Sequence, residues 1–225
     1  MPFSPQQSVD AVKKFIKYLP FDTDPPKLRT VNDAQGLIWS FAPWRWTVGV
    51  TAATDIVNDS ATVAVAAMSD FDRIVAAYLQ LATGDMVELI PVAVLPTQTE
   101  LKGPPRKIAA TSDTSIILQP PPTGYLPAPK LVVTFKKKPT EITAANVATA
   151  GITGIPDAWF YVFTAAVLYY AYLYADDPRA GGAVAVAGGA IQYSGQLGVV
   201  MAALAEMRER ELLPVDLLGQ DKRDA

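Results

Sequence analysis

The chain has 225 residues, enough for one sizeable core or two joined ones; half are hydrophobic and only 18% are charged, which hints at surface hidden in an assembly. Its formal charge of −3 lacks the basic excess that neutralises phosphates, which argues against a sequence-reading DNA-binding protein. With no cysteine and no histidine it lacks disulfides, thiolate nucleophiles, the usual general base and the commonest metal ligand, so most enzyme classes fall away and no cofactor or metal is expected.

Met1 to Asp10 shows no basic region followed by an apolar core, so no signal peptide and a cytoplasmic site of synthesis are expected. Ser4, Pro5 and Gln7 form the start of a first helix, a capping box with proline at the first position. Val9, Val12, Ile16 and Leu19 line one face, and Pro20 ends it. Thr30 reads as the cap of a second helix striped by Ala34, Leu37, Ile38 and Phe41, which stops at Pro43. Short runs rich in valine, isoleucine and threonine then predict strands at 46–52, 62–67, 74–81, 86–95, 107–111, 115–119 and 130–135. The loops at 96–105 and 120–129 hold too much proline to be strands.

A third helix is predicted from Asp157 to Ala175, with no charge between Ala158 and Ala175. That run raises a membrane-spanning reading, but its tyrosines are spread along it instead of gathered at the ends, and no basic cluster flanks it. Burial between helices or subunits is the preferred expectation, and no membrane partner is expected. Asp177 and Pro178 read as the start of a fourth helix reaching Glu211, although Gly181, Gly182, Gly188 and Gly189 leave a loop or a close helix packing open. The stretch 212–225 carries Leu212, Leu213, Val215, Leu217 and Leu218 but neither helical nor strand length, and reads as a tail that docks on a partner.

The pairs Asp22 with Asp24, Asp70 with Asp72 and Asp176 with Asp177 have no base, nucleophile or calcium-loop glycine at a useful spacing, so turns and caps account for them. The glycine pairs lack the context of a phosphate loop. Lys136, Lys137 and Lys138 are either a solvated turn or a small basic spot facing DNA. Trp39, Trp44 and Trp46 are a stacking platform or, better, the pin between two parts of the fold at a helix-to-strand junction.

Taken in order, four groups carry a resemblance: Trp39, Pro43, Trp44 and Trp46; Ile116, Leu118, Pro120 and Pro122; Ile155, Pro156 and Asp157; Asp176, Asp177 and Pro178. Over roughly residues 30–211 the sequence resembles the head-to-tail adaptor (connector or neck) proteins of tailed bacteriophages, of the tail tubular protein A-like kind. The resemblance implies an α+β fold: a bundle of N- and C-terminal helices, 1–45 and 153–211, with an antiparallel β-domain inserted at 46–152 and a docking tail at 212–225. It further implies a structural virion protein without an active site, in the neck between capsid and tail and assembled in the host cytoplasm. Twelve copies would ring the DNA channel beneath the portal protein, touch the packaged double-stranded DNA passively, and carry the tail or nozzle protein. The rival reading is a membrane-associated or pore-forming protein built on residues 158–175.

Overall fold

Why the chain makes helices at its ends and strands in its middle is visible in a computed structural model, which describes residues 2–16, 23–24, 26–42, 44–95, 102–125, 127–186 and 189–211. Among the described residues there are four α-helices: α1 Pro5–Lys13, α2 Pro26–Phe41, α3 Phe160–Tyr174 and α4 Gly195–Glu211. The strands are β1 Val48–Val50, β2 Thr54–Asp55, β3 Thr62–Ala64, β4 Phe71–Gln80, β5 Met86–Pro91, β6 Lys107–Ala110, β7 Ser115–Gln119, β8 Lys130–Lys137, β9 Ala183–Ala185 and β10 Ile191–Tyr193. The fold is α+β, and it divides into a helical unit, Met1–Trp46 with Pro139–Ala225, and a β unit, Thr47–Lys138.

In the helical unit the Gln7 side chain accepts the Ser4 backbone N–H at 2.8 Å, closing the expected start of α1. Val9, Val12 and Ile16 are buried; Leu19 and Pro20 lie outside the described residues. Thr30 is not the cap of α2. The helix opens at Pro26, where a missing N–H costs nothing, and the Thr30 hydroxyl bonds back to the Pro26 carbonyl at 2.9 Å from inside the helix. Helix α3 packs against α1, α2 and α4, burying Val162, Phe163, Ala166, Val167, Ala171 and Tyr172. Its first turn, Asp157–Trp159, is 3₁₀, and the α-helical part runs to Tyr174. Fifteen residues span about 22 Å at ~1.5 Å each, short of the ~30 Å hydrocarbon core. Among the described residues no helix is long and apolar enough to cross a membrane, so the rival reading on residues 158–175 is not favoured. Residues 139–152, expected with the strands, belong to the helical unit because Ile142 and Val147 are buried in its core.

The fourth helix is shorter than expected. Asp177 does cap a turn, its carboxylate accepting from the Arg179 backbone N–H at 2.9 Å, but Pro178–Ala180 is a single 3₁₀ turn. A hairpin of β9 and β10 follows, with Ile191 opposite Ala185 and Tyr193 opposite Ala183, and α4 begins only at Gly195. Gly181 and Gly195 both have positive φ and cross where a Cβ on Gly181 would meet the Ser194 carbonyl oxygen at 1.9 Å. No side chain fits there, so the crossing at the base of the hairpin requires glycine.

The β unit is one sheet in the order β1-β8-β4-β5-β6-β7-β3, with β2 also paired to β8. It is mixed, not wholly antiparallel as expected: β5 and β6 run parallel, since the chain between them crosses over instead of turning back. Alternation sends Leu131, Val133 and Phe135 of β8 inward, where they meet Ala77, Leu79, Leu89, Ile108, Ile116 and Leu118. On the neighbouring strand Gly49 stands opposite Phe135, and a Cβ there would lie 2.4 Å from the ring. The glycine gives the aromatic ring its bed.

Candidate assembly surfaces

The chemistry-bearing residues of the chain are dispersed. Among the described residues no group of three acidic side chains could hold a metal ion. Asp70 and Asp176 occupy positive-φ positions suited to turns; Asp72 pairs with Arg73 at 3.5 Å, and Asp24 with Lys27 at 3.3 Å. Asp22 lies outside the described residues. Asp177 grips Arg179 through two carboxylate oxygens, and these bonds hold its carboxyl below the usual range. They do the work of caps, turns and ion pairs.

The three tryptophans meet within the helical unit. Trp39 and Trp46 pack edge to face at 5.1 Å, Trp46 and Trp44 stack with centroids 6.1 Å apart, and Phe41 stacks beyond Trp44 at 6.2 Å. Trp39 donates to the Thr153 carbonyl at 3.0 Å, and Trp44 donates to the Ile38 carbonyl. The Trp46 indole N–H is buried with no acceptor. Trp39 and Trp44 are buried, so their faces are spent on one another and on the core, and no open stacking platform for bases remains.

The lysines separate. Strand β8 extends two residues beyond its predicted end, and alternation turns Lys136 and Lys137 to opposite faces. Lys136 stands opposite Arg73 on β4 and Val48 on β1; Lys137 stands opposite Phe71. Lys138 follows the strand, its N–H bonding to the Asp70 carbonyl at 2.7 Å. On the outward face the register therefore aligns Lys136 with Arg73, a pair the run of three lysines did not disclose.

A tyrosine edge runs along the last turns of α3. Tyr174 donates to the Asp33 carboxylate, and the Arg29 guanidinium lies 4.2 Å from the Tyr174 ring centre. Burial, helped by the Asp33 charge, pushes the Tyr170 phenol up to about 12. Burial likewise raises Tyr174, with the Asp33 hydrogen bond adding to it.

Sequence reasoning missed the exposed apolar surfaces. On the hairpin Val184 and Ile191 are 61% and 58% exposed; on β5 Ile90 is 59% exposed. The signal was present in the alternation of Ala183 to Val186, a glycine pair, and then Ile191 to Tyr193, a strand-turn-strand pattern overshadowed by the helical stripe after it. Leu212, Leu213, Val215, Leu217 and Leu218 lie outside the described residues.

A search of curated proteins finds no match to this chain. The family of SU10 adaptor proteins matches it over residues 7–215, from the first turn of α1 past the end of α4 and across both units. The ordered tryptophan, proline and acidic signatures fall inside that span. The chain therefore belongs to the SU10 adaptor protein family, and it is a structural adaptor protein of a phage.

Proposed function

We propose that this chain is a head-to-tail adaptor, tail tubular protein A-like in its arrangement, that assembles as a twelve-membered ring beneath the portal. The ring lengthens the DNA channel, makes passive contact with double-stranded DNA, and presents the platform to which the tail or nozzle protein binds. Its place is the virion neck, reached by assembly in the host cytoplasm. The single observation that carries this reading is the family match over residues 7–215, which spans the helical unit and the β unit alike.

Within that reading the residues take distinct parts. Leu212, Leu213, Val215, Leu217 and Leu218 dock on the portal or on an adjacent subunit, because aliphatic groups gain ~25 cal/mol for each Å² they withdraw from water. Lys136, with Arg73 opposite it, supplies positive charge toward passing DNA. Trp39, Trp44 and Trp46 brace the end of α2 where the chain passes toward the β unit. The free protein associates weakly and closes into a ring on the portal template, since a ring that closed alone would compete with ordered assembly.

Mixing the purified chain with its portal and imaging the mixture tests the proposal. The expected result is a second ring on one face of the portal. A chain that stays monomeric by light scattering both with and without the portal overturns it.

A further inference from the structure

The end of α4 is tied to the start of α3 by a closed ring of side-chain contacts. Trp159, in the 3₁₀ turn that opens α3, is only 3% exposed, and its indole N–H donates to the Glu211 carboxylate at 2.6 Å. Arg210 lies 5.8 Å from the Trp159 ring centre and bridges to Glu206 at 2.6 Å. Glu206 in turn accepts from the Tyr161 hydroxyl at 3.1 Å, and the Tyr161 ring meets the Trp159 ring at 5.9 Å, which closes the ring of contacts.

The needs of the helix alone do not account for this arrangement. A carboxylate in the last turn faces the negative end of the helix dipole, so Glu211 works against α4 unless something else holds it there. Helix ends also fray, because their last carbonyls lack partners within the helix. A charge-assisted bond to a buried indole, anchored at the start of a different helix, removes that freedom from the final residue of α4. Leu212 follows directly, the first of the five aliphatic residues of 212–225. The contacts therefore sit where fixing the backbone also fixes the point from which that segment leaves α4. A segment with a fixed root loses less freedom on binding than one that swings from a frayed turn.

We propose that Trp159 and Glu211 are positioning residues for docking: through the bond between them they hold the root of residues 212–225, so that the segment meets the portal from a fixed point. The inference rests on the docking role proposed above for that segment, and one assay separates the two. Glu211→Ala is the first variant, because Glu211 is only partly buried and its loss spares the core formed by Leu204 and Met207. Glu211→Gln keeps an amide oxygen for the indole. A third chain leaves the contacts whole but carries two added glycines between Glu211 and Leu212, which loosens the root alone. Binding to portal rings is measured by co-sedimentation across a range of concentrations, with the melting temperature followed alongside. Glu211→Ala and the glycine insertion should each weaken binding ~5–10-fold at an unchanged melting temperature, and Glu211→Gln should stay within about twofold of the parent chain. An alanine variant that binds as the parent does overturns the proposal. So does an insertion without effect, which would mean that the bond acts on something other than the root, and so does a glutamine variant as weak as alanine, which would mean that docking needs the charge and not the bond. A parent chain that does not bind the portal, or a chain ending at Glu211 that binds it fully, overturns the docking role itself and the positioning role with it.

Discussion

Trp39 and Thr153 are joined by a hydrogen bond of 3.0 Å from indole N–H to carbonyl oxygen, although 114 positions separate them in the chain. Gln35 donates to the same carbonyl at 3.2 Å. These bonds draw the two flanks of the inserted strands together inside the helical unit, and loop closure grows costlier only as the logarithm of the loop's length, so a long insert is tolerated. The Trp39 ring also fills the core beside Gly154.

Trp39→Ala should therefore cost ~3–5 kcal/mol as a core truncation, whereas Trp39→Phe should cost about 1 kcal/mol, because Gln35 still serves the carbonyl. Urea unfolding followed by fluorescence and circular dichroism checks both values. Equal losses in the two variants would mean that the hydrogen bond, not ring volume, closes the unit.

Trp44 and Trp46 stack on one another but differ in what their indole nitrogens meet. Trp44 is fully buried and donates to the Ile38 carbonyl, while the buried Trp46 N–H has no acceptor. Replacing Trp44 with phenylalanine should cost about 0.5–1.5 kcal/mol more than the same change at Trp46, since it removes a hydrogen bond that is made and the other removes an orphan donor. Trp46→Ala should cost ~3–5 kcal/mol if the ring is a core brace. Should stability hold in Trp46→Ala while tail attachment disappears, the residue is a partner contact instead.

Tyr170 gives the fold a high-pH limit. Its phenol is raised from the model-peptide value of 10.0 to about 12 in the folded chain, by burial first and by Asp33 second. The folded state holds that proton more tightly than the unfolded chain, so the associated stability is fully present below about pH 10 and is lost as pH climbs toward 12. Tyrosinate absorbance near 295 nm should show a late-titrating component that Tyr170→Phe removes. A full set of tyrosines titrating together near pH 10 would show that the packing around Tyr170 is open.

Much of this organisation could be read from residues. Capping at Ser4 and Gln7, apolar stripes of period 3.6, and alternation at Leu131, Val133 and Phe135 are local signals, and each predicted its element. What escaped depends on distant parts of the chain. The parallel pairing of β5 with β6 is decided by a crossover, and the burial of Ile142 and Val147 with the helices is decided by tertiary packing. Thr30 misled because threonine serves both as a cap and as a residue that bonds back to a carbonyl four positions earlier. Lys136 to Lys138 misled because a strand divides neighbours between its faces, so adjacency in sequence is not a patch in space. At Gly181 and Gly182 the sequence left an interrupting loop or a close helix packing open, and the interruption is what forms, with a hairpin whose base is a contact between Gly181 and Gly195 that no helical wheel compares.

That crossing sets a sharp mutational test. A methyl group on Gly195 would lie 2.7 Å from the Gly181 Cα and 2.8 Å from the Arg179 carbonyl oxygen, at a φ of +57° that L-residues adopt at a cost. Gly195→Ala should destabilise the chain by at least ~1–2 kcal/mol from the backbone strain alone, with the clash adding to it. The loss should appear in hydrogen exchange first at Gly182 and Ser194, whose mutual bonds form the hairpin base, and only later in α3. Gly182→Ala is the control, because no atom lies within 4 Å of a Cβ placed there. If both alanines behave alike, the crossing is not what holds the hairpin.

Removal of residues 212–225 separates folding from docking. Among the described residues the helical core reaches Glu211: its carboxylate accepts the Trp159 indole N–H at 2.6 Å, Arg210 sits 5.8 Å from the Trp159 ring centre, and Met207 and Leu204 are buried one and two turns earlier. A chain ending at Glu211 keeps every one of these contacts, so its unfolding free energy should stay within about 0.5 kcal/mol of the full chain, the range of changes away from packed features. The residues lost include Leu212, Leu213, Val215, Leu217 and Leu218, whose aliphatic area is worth ~25 cal/mol per Å² only where a partner removes it from water. Portal occupancy, measured by co-sedimentation at equal protein concentration, should then fall below detection while the melting temperature holds. A truncated chain that still fills the portal ring would show that docking is carried elsewhere, and one that no longer folds would show that the segment belongs to the core.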